Sequence, residues 1–218
     1  MIHSSRRIIG VDESGKGDFF GSLVIASFLA DDKSIPELKA LGVRDGKLIS
    51  EKKILEIDKK LRDGFPYQVI VFTPEKYNRL YEKIKNLNIL LAEGHALAID
   101  QLIKKAPADL AISDKFGKTE LIEKALLAKG QKVPIKQLVR GESIIQVAAA
   151  SIIARARFIR ELKALSEKYE FELPRGAAPK VDEAGRKFVR KHGVSFLSKV
   201  AKMHFKNYRR VVNPVLFT

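Results

Sequence analysis

The sequence predicts an α/β fold built around a mixed β-sheet. Three observations carry this. Short runs rich in Val, Ile and Phe alternate with amphipathic segments, no internal repeat or low-complexity stretch interrupts the series, and the first two apolar runs are joined by a short Gly-rich turn. Strands joined so closely pair as an antiparallel hairpin, so the sheet is not all-parallel.

The elements follow in order. Residues 7–13, RIIGVDE, read as a strand that ends on Asp12 and Glu13. SGKGDFFG is a Gly-rich turn closing at Gly21, and residues 22–30, SLVIASFLA, are the second strand. Residues 31–49 read as loop and short helix. Ser50 caps a helix over Glu51–Leu61, with Ile54, Ile57 and Leu61 as its apolar stripe. YQVIVF, 67–72, is the third strand. Thr73 then caps a helix with Pro74 at its first position. A further helix covers about 88–105. A short strand runs from Leu110 to Ser113 and ends at Asp114. Residues 118–129 read as helix and 133–138 as the last strand. A long helix runs from Glu142 to about Tyr169, and the small residues of VAAASIIARA predict another backbone lying close against it. After a loop from Pro174 to Pro179, helices cover about 180–191 and 195–203, and the tail is basic and aromatic.

Charge narrows the function. Lys and Arg total 41 against 26 acids in 218 residues, a formal net charge of +15. That balance favours a polyanionic partner, nucleic acid before an anionic surface. From Ala184 to Thr218 there are nine Lys or Arg and no acid. With no Cys, disulfides, thiolate zinc sites and Cys nucleophiles are excluded. No apolar run approaches a membrane span and MIHSSRR lacks the apolar core of a secretory signal, so the default expectation is a cytoplasmic protein. No GxSxG, HExxH or Walker loop is present.

Against that basic background, acids stand in unexpected places. Asp12 and Glu13 end an apolar strand, Asp114 ends another, and Glu142 follows Gly141 at the head of the long helix. Element ends are where open-sheet sites form, and such carboxylates suit hard divalent cations. Successive strand residues point to opposite faces, so Asp12 and Glu13 share one ion only where the chain bends. Taken singly, each also reads as an ordinary surface acid, and spacing alone does not choose. His95, in EGHALAI, reads equally as packed or functional.

GVDESGKGDFFG at 10–21 resembles the first signature of the type 2 ribonucleases H, and its SGKGDFFG form resembles the ribonuclease HIII branch. ISDKF at 112–116 resembles the segment of the third acid. GESIIQVAAASIIARARF at 141–158 resembles the fourth signature, with the Glu of that branch, and AKMHFKNYRR at 201–210 resembles the usual C-terminal stretch. The resemblance spans nearly the whole chain. It implies a ribonuclease H-like fold, a mixed central sheet flanked by helices with a helical C-terminal segment, as a single catalytic domain over 1–218 in which 184–218 is basic. It implies Asp12, Glu13, Asp114 and Glu142 as catalytic acids and metal ligands for Mg²⁺ or Mn²⁺, two ions acting together. It implies cleavage of the RNA strand of an RNA–DNA hybrid, leaving 3'-hydroxyl and 5'-phosphate ends. Ser14, Gly15, Lys16 and Gly17 match the turn that reads the 2'-hydroxyl. Lys47, Lys202, His204, Lys206 and Arg209 are the further substrate contacts expected.

The chain departs from the pattern at Ser22, where proline is usual, and at DGK 45–47, where DSK is usual. Members of the branch typically carry an N-terminal domain resembling the TATA-box-binding protein. The expectation is a monomeric catalytic domain without it, gripping its substrate through the basic C-terminal segment. Two other readings stand beside this one: a ribonuclease HII-type enzyme incising at single ribonucleotides in DNA, opposed by Glu142 and the SGKG turn, and a hybrid-binding protein without catalysis, opposed by the complete acid set.

Overall fold

The computed structural model describes residues 5–44 and 49–213; Lys47 and the rest of the DGK segment lie outside the described residues. Five strands form one sheet: β1 (Arg7–Ser14), β2 (Leu23–Asp31), β3 (Tyr67–Phe72), β4 (Leu110–Asp114) and β5 (Ile135–Leu138), in the order β3-β2-β1-β4-β5. The ladders from β1 to β4 and from β4 to β5 are parallel. Neighbouring β1 and β2 are joined only by residues 15–22, too short a link for a parallel crossover, so that pair is antiparallel and the sheet is mixed.

The helices are α1 (Ile35–Ala40), α2 (Glu51–Gly64), α3 (Pro74–Ile84), α4 (Leu87–Ile103), α5 (Thr119–Ala128), α6 (Ile145–Lys168), α7 (Pro179–His192), α8 (Leu197–Val200) and α9 (Lys206–Val212). Local chemistry sets their starts. The Ser50 side chain accepts from the Lys53 amide, Thr73 accepts from Lys76 with Pro74 in the first turn, and Asn86 accepts from two amides of α4. The predicted α2 stripe, Ile54, Ile57 and Leu61, is buried. Among the described residues no helix is long and apolar enough to cross a membrane.

Two compact units divide the chain. The first comprises Met1–Glu13, Ile25–Ile70 and Asn86–Ala156, the second Ser14–Val24, Val71–Lys85 and Arg157–Thr218. Within the first unit, one face of β1, β4 and β5 packs on the start of α6. Leu110, Ile112 and Val147 are buried together there, with Ile8, Leu138 and Ile144 against them. The approach is closest at Gly10, where an added β-carbon would overlap the backbone of Gln146 and Val147. This is the close backbone contact that the small residues of α6 predict. On α4 the buried positions extend round most of the helix, including Leu91, His95, Ala98 and Ile99.

The second unit differs from expectation at its C-terminal end. In place of a helix over 195–203 there is a 3₁₀ turn, Val194–Phe196, then the short α8; Ala201 turns extended and bridges antiparallel to Phe20. Helix α9 was not expected, because few of its residues are apolar. It is held by burying Val211 and Asn207, with Val211 so close to Gly185 of α7 that a β-carbon there would lie 2.6 Å from it.

Gly10→Ala is expected to destabilise the protein by about 2–3 kcal/mol or to abolish folding, since only backbone motion relieves the overlap. Gly64→Ala, at a helical position where an added β-carbon meets nothing within 4 Å, should gain roughly 0.4–1 kcal/mol. Urea denaturation of both variants checks the pair; equal effects would mean that α6 does not lie on β1 as described.

Candidate active site

Asp12 and Asp114 are brought together by strand register. Val11 lies opposite Ser113 in the parallel ladder, so the next residue on each strand is an aspartate. Alternation places Asp12 on the same face as Ile8 and Gly10, and Asp114 on that of Leu110 and Ile112, the face that α6 covers. Ser151 of α6 hydrogen-bonds the Asp12 side chain, and the Glu13 amide donates to its Oδ1 at 2.8 Å.

Glu13, one residue on, turns toward the other face. Its Oε2 lies 3.0 Å from Nε2 of His95, a fully buried residue of α4. His95 Nδ1 has no hydrogen-bond partner, and the ring packs 4.7 Å from that of Phe116. The tautomer carrying hydrogen on Nε2 donates to the carboxylate and leaves a bare Nδ1, so no buried N–H is stranded.

Glu142 does not head the long helix. It sits in a separate 3₁₀ turn, Gly141–Ser143, which Arg140 introduces in left-handed conformation at φ 59°. The turn is tied to Asp114: the Gly141 amide donates to Asp114 Oδ1 at 2.9 Å, and a β-carbon on Gly141 would lie 2.8 Å from the Asp114 Cα. A glycine before Glu142 is therefore a packing requirement.

Burial and like charge dominate the electrostatics at Asp12. Burial, then the charge of Glu13, with a smaller contribution from Asp114, pushes the Asp12 carboxyl from its ordinary 3.8 up to about 7, against the lowering effect of its hydrogen bonds. Among the described residues, no three His, Asp or Glu side chains are drawn into a group tight enough to hold a metal ion. Of the four acids expected to converge, Asp12 feels the charges of Glu13 and Asp114, the turn carrying Glu142 is tied to Asp114 through the Gly141 amide, and Glu13 is drawn toward His95. The donor set itself, all carboxylate oxygen, fits a hard divalent cation.

The expected substrate contacts divide. Ser14 ends β1 half-buried, Gly15 is buried in left-handed conformation at φ 87°, Lys16 is half-buried and Gly17 is exposed. Gly15 has no room for a side chain: a β-carbon would overlap the Ser22 carbonyl and meet the Phe158 ring at 2.9 Å. At Gly17 the surrounding space is open. Lys206 and Arg209 are exposed, as phosphate contacts need to be. Lys202 is not: it is fully buried, its ammonium donating to the carbonyls of Asp18 and Gly21 at 2.7 Å each. Its expected contact with phosphate is corrected on that ground. His204 is exposed, as a substrate contact needs to be. Its ring stacks 4.2 Å from that of Tyr81, and partial burial, then the Lys202 charge, holds the imidazole down to about 4, so at neutral pH it meets a substrate as a neutral ring. The sequence carried no signal for the burial of Lys202 against backbone carbonyls, and for His95 only its place in an apolar helix.

The family described as Ribonuclease HII matches residues 9–208. The ribonuclease HIII of Chlamydia felis is 42% identical over 206 residues, 93% of this chain and 69% of that protein. The crystal structure of Bst-RNase HIII in complex with Mn²⁺ superposes with a TM-score of 0.89 at 33% identity, covering 96% of this chain and 70% of that one. The ribonuclease H2 of Pyrococcus horikoshii OT3 gives 0.82 at 25% identity, covering 97% and 100%.

The raised Asp12 carboxyl predicts an inverted pH response for the metal-free protein. Its folded value exceeds its unfolded one, so its contribution is fully present below about 4 and is lost as pH rises through about 7. In EDTA, Asp12→Asn is expected to unfold at higher denaturant than wild type at pH 8, the advantage vanishing near pH 4. Added Mn²⁺ should narrow the gap by stabilising wild type alone. Denaturation midpoints from pH 4 to 9 test this, and an Asn variant that is no more stable at pH 8 would show that Asp12 carries no excess charge.

Proposed function

The chain belongs to the ribonuclease HII family, in its HIII branch, and on that premise we propose that it hydrolyses the RNA strand of RNA–DNA hybrids with the help of Mg²⁺ or Mn²⁺. The observation that carries the reading is the pairing of Asp12 with Asp114 on one face of the sheet, where burial and neighbouring charge raise the Asp12 carboxyl. Carboxylates so placed suit a hard divalent cation, and a basic chain supplies the attraction for a polyanionic substrate.

Asp12, Glu13, Asp114 and Glu142 would hold the metal. When bound, two such ions supply a water nucleophile at neutral pH and charge stabilisation for both oxygens of the phosphodiester displacement, leaving 3'-hydroxyl and 5'-phosphate ends. The chain's own residues do the arranging. The Gly141 amide orients the Asp114 carboxylate and fixes the backbone of Glu142 beside it. His95 orients Glu13. Ser14 and the Gly15–Lys16–Gly17 turn, which follow the acid pair directly in the chain, would meet the ribose 2'-hydroxyl, the group that distinguishes RNA from DNA. Lys206 and Arg209 would contact phosphates without regard to base sequence.

Cleavage is to be mapped on an RNA–DNA hybrid, on duplex DNA containing one ribonucleotide and on all-DNA duplex, with each metal. The hybrid should be cut at several positions to 5'-phosphate products and the DNA left intact. Asp12→Asn should still bind hybrid while its cleavage falls by a factor on the order of a thousand or more. Preferred cutting at the single ribonucleotide would favour HII-type activity, and binding without any cleavage would defeat the proposal.

The role given to His95 is separable from packing. His95→Ala should weaken Mn²⁺ binding in calorimetry by about tenfold or more, and His95→Gln, which keeps an N–H donor, should recover much of it. Equal metal affinity in wild type and the Ala variant would leave His95 as a core residue only.

A further inference from the structure

The segment carrying the Gly15–Lys16–Gly17 turn is fastened from within by a buried ammonium group. We propose that Lys202 is a positioning residue for substrate recognition, holding the backbone of residues 15–21 in the form that meets the hybrid. The inference rests on the reading of that turn given above.

Lys202 has no exposed surface, and its ammonium is aimed at one short stretch of chain. It donates to the Asp18 and Gly21 carbonyls at 2.7 Å and approaches that of Phe20 at 3.5 Å, across more than 180 residues of sequence. The rings of Tyr77 and Phe205 each lie 5.9 Å from the nitrogen. Three carbonyl oxygens pointing into one enclosed space repel one another, and a cation with three protons resolves this as no apolar side chain does. The arrangement is costly: burial pushes the ammonium from its ordinary 10.5 down to about 7 against the opposing charge of Asp18. A methionine of similar length would fill the volume without that cost, so packing alone does not account for a lysine here.

The contacts form a chain of restraint. The backbone already bridges the two segments, with Lys202 N donating to Phe19 O and Gly21 N to Val200 O. The side chain extends that bridge to Asp18. The Asp18 amide closes the turn onto the Gly15 carbonyl at 3.3 Å, and its carboxylate accepts from the Gly176 amide. Phe158 lies under Gly15 and Gly21. The turn is thereby held at Gly15, Asp18 and Gly21, whereas at Gly17 a β-carbon would meet nothing within 4 Å. The part left open is the part that the functional reading assigns to the ribose.

Lys202→Met in the full chain tests this. Affinities for RNA–DNA hybrid and for plain duplex DNA are measured in EDTA, with kcat and KM for hybrid in Mn²⁺ and amide hydrogen exchange of residues 15–21. Hybrid affinity should fall about tenfold or more while DNA affinity moves by less than about threefold. KM should rise more than kcat falls, and exchange should quicken at 15–21 while β4 and β5 keep their protection. An unchanged hybrid preference with quickened exchange, or unchanged exchange itself, overturns the inference. Should this variant fail to fold, acetylation of wild-type lysines with and without hybrid replaces it. Lys202 should be among the slowest to react in both states; rapid labelling that hybrid suppresses would make it a phosphate contact and overturn the proposal. Wild type that itself prefers neither duplex would defeat the functional reading, and the inference with it, a result distinct from wild-type preference surviving in Lys202→Met.

Discussion

Where α6 crosses β1, no side chain separates the two backbones: Gly10 faces the peptide between Gln146 and Val147 with no space for a single added carbon. That approach sets the position of the acids. It seats the first turns of α6 on the face to which Asp12 and Asp114 point, bringing Ser151 within hydrogen-bond reach of Asp12. It also fixes where the chain must be when it leaves β5, and the connection is made through a left-handed Arg140 and the 3₁₀ turn that carries Glu142. The same economy recurs at Gly141 on Asp114, so glycine determines the acid geometry twice without contributing a functional group.

The site so formed works against the fold's own stability. Carboxylates packed together in low-dielectric surroundings favour the protonated state, and Asp12 shows this by its raised value. The protein tolerates the charge by giving its neighbours separate partners, the Gly141 amide for Asp114 and the His95 ring for Glu13. A residue without charge at position 12 would remove that repulsion, so stability alone does not account for an aspartate there.

Much of this was legible in the sequence, for identifiable reasons. YQVIVF reads as a strand because its β-branched and aromatic residues have no helical period, and it is β3 as expected. Ser50 and Thr73 mark helix starts through local hydrogen bonds that need no tertiary context. The small residues of α6 announce a close neighbour, but only the fold shows it to be Gly10. Features that depend on distant partners were hidden. Helix α9 has too narrow an apolar stripe to be recognised until Val211 meets Gly185. Glu13 and Asp12 are adjacent letters whose side chains take different faces, and the partner that claims Glu13 lies 82 residues away. Lys202 is the sharpest case, since a lysine in a basic tail is ordinarily solvated and its partners here are backbone carbonyls, which have no sequence signature.

That case changes what the basic tail means. Nine cations and no acid from Ala184 onward invite a reading in which each meets a phosphate. In the fold, one of them is buried. Arg210 is paired with the carboxylate of Asp182 through Nε at 2.6 Å, Lys187 with Glu183 at 2.7 Å, and Lys191 donates to the Glu170 carbonyl. Lys199 lies over the Phe196 ring. The exposed pair on α7 is weak and Lys187 can exchange it for phosphate at little cost, whereas the Asp182–Arg210 contact is half enclosed and shared with Asn207, so it resists exchange. Salt dependence of binding counts the cations that touch phosphate, not those in the composition. A slope well below nine for this segment would therefore be the natural result of its folding, because part of its charge is spent holding α7 to α9 and the turn to its frame before any nucleic acid arrives.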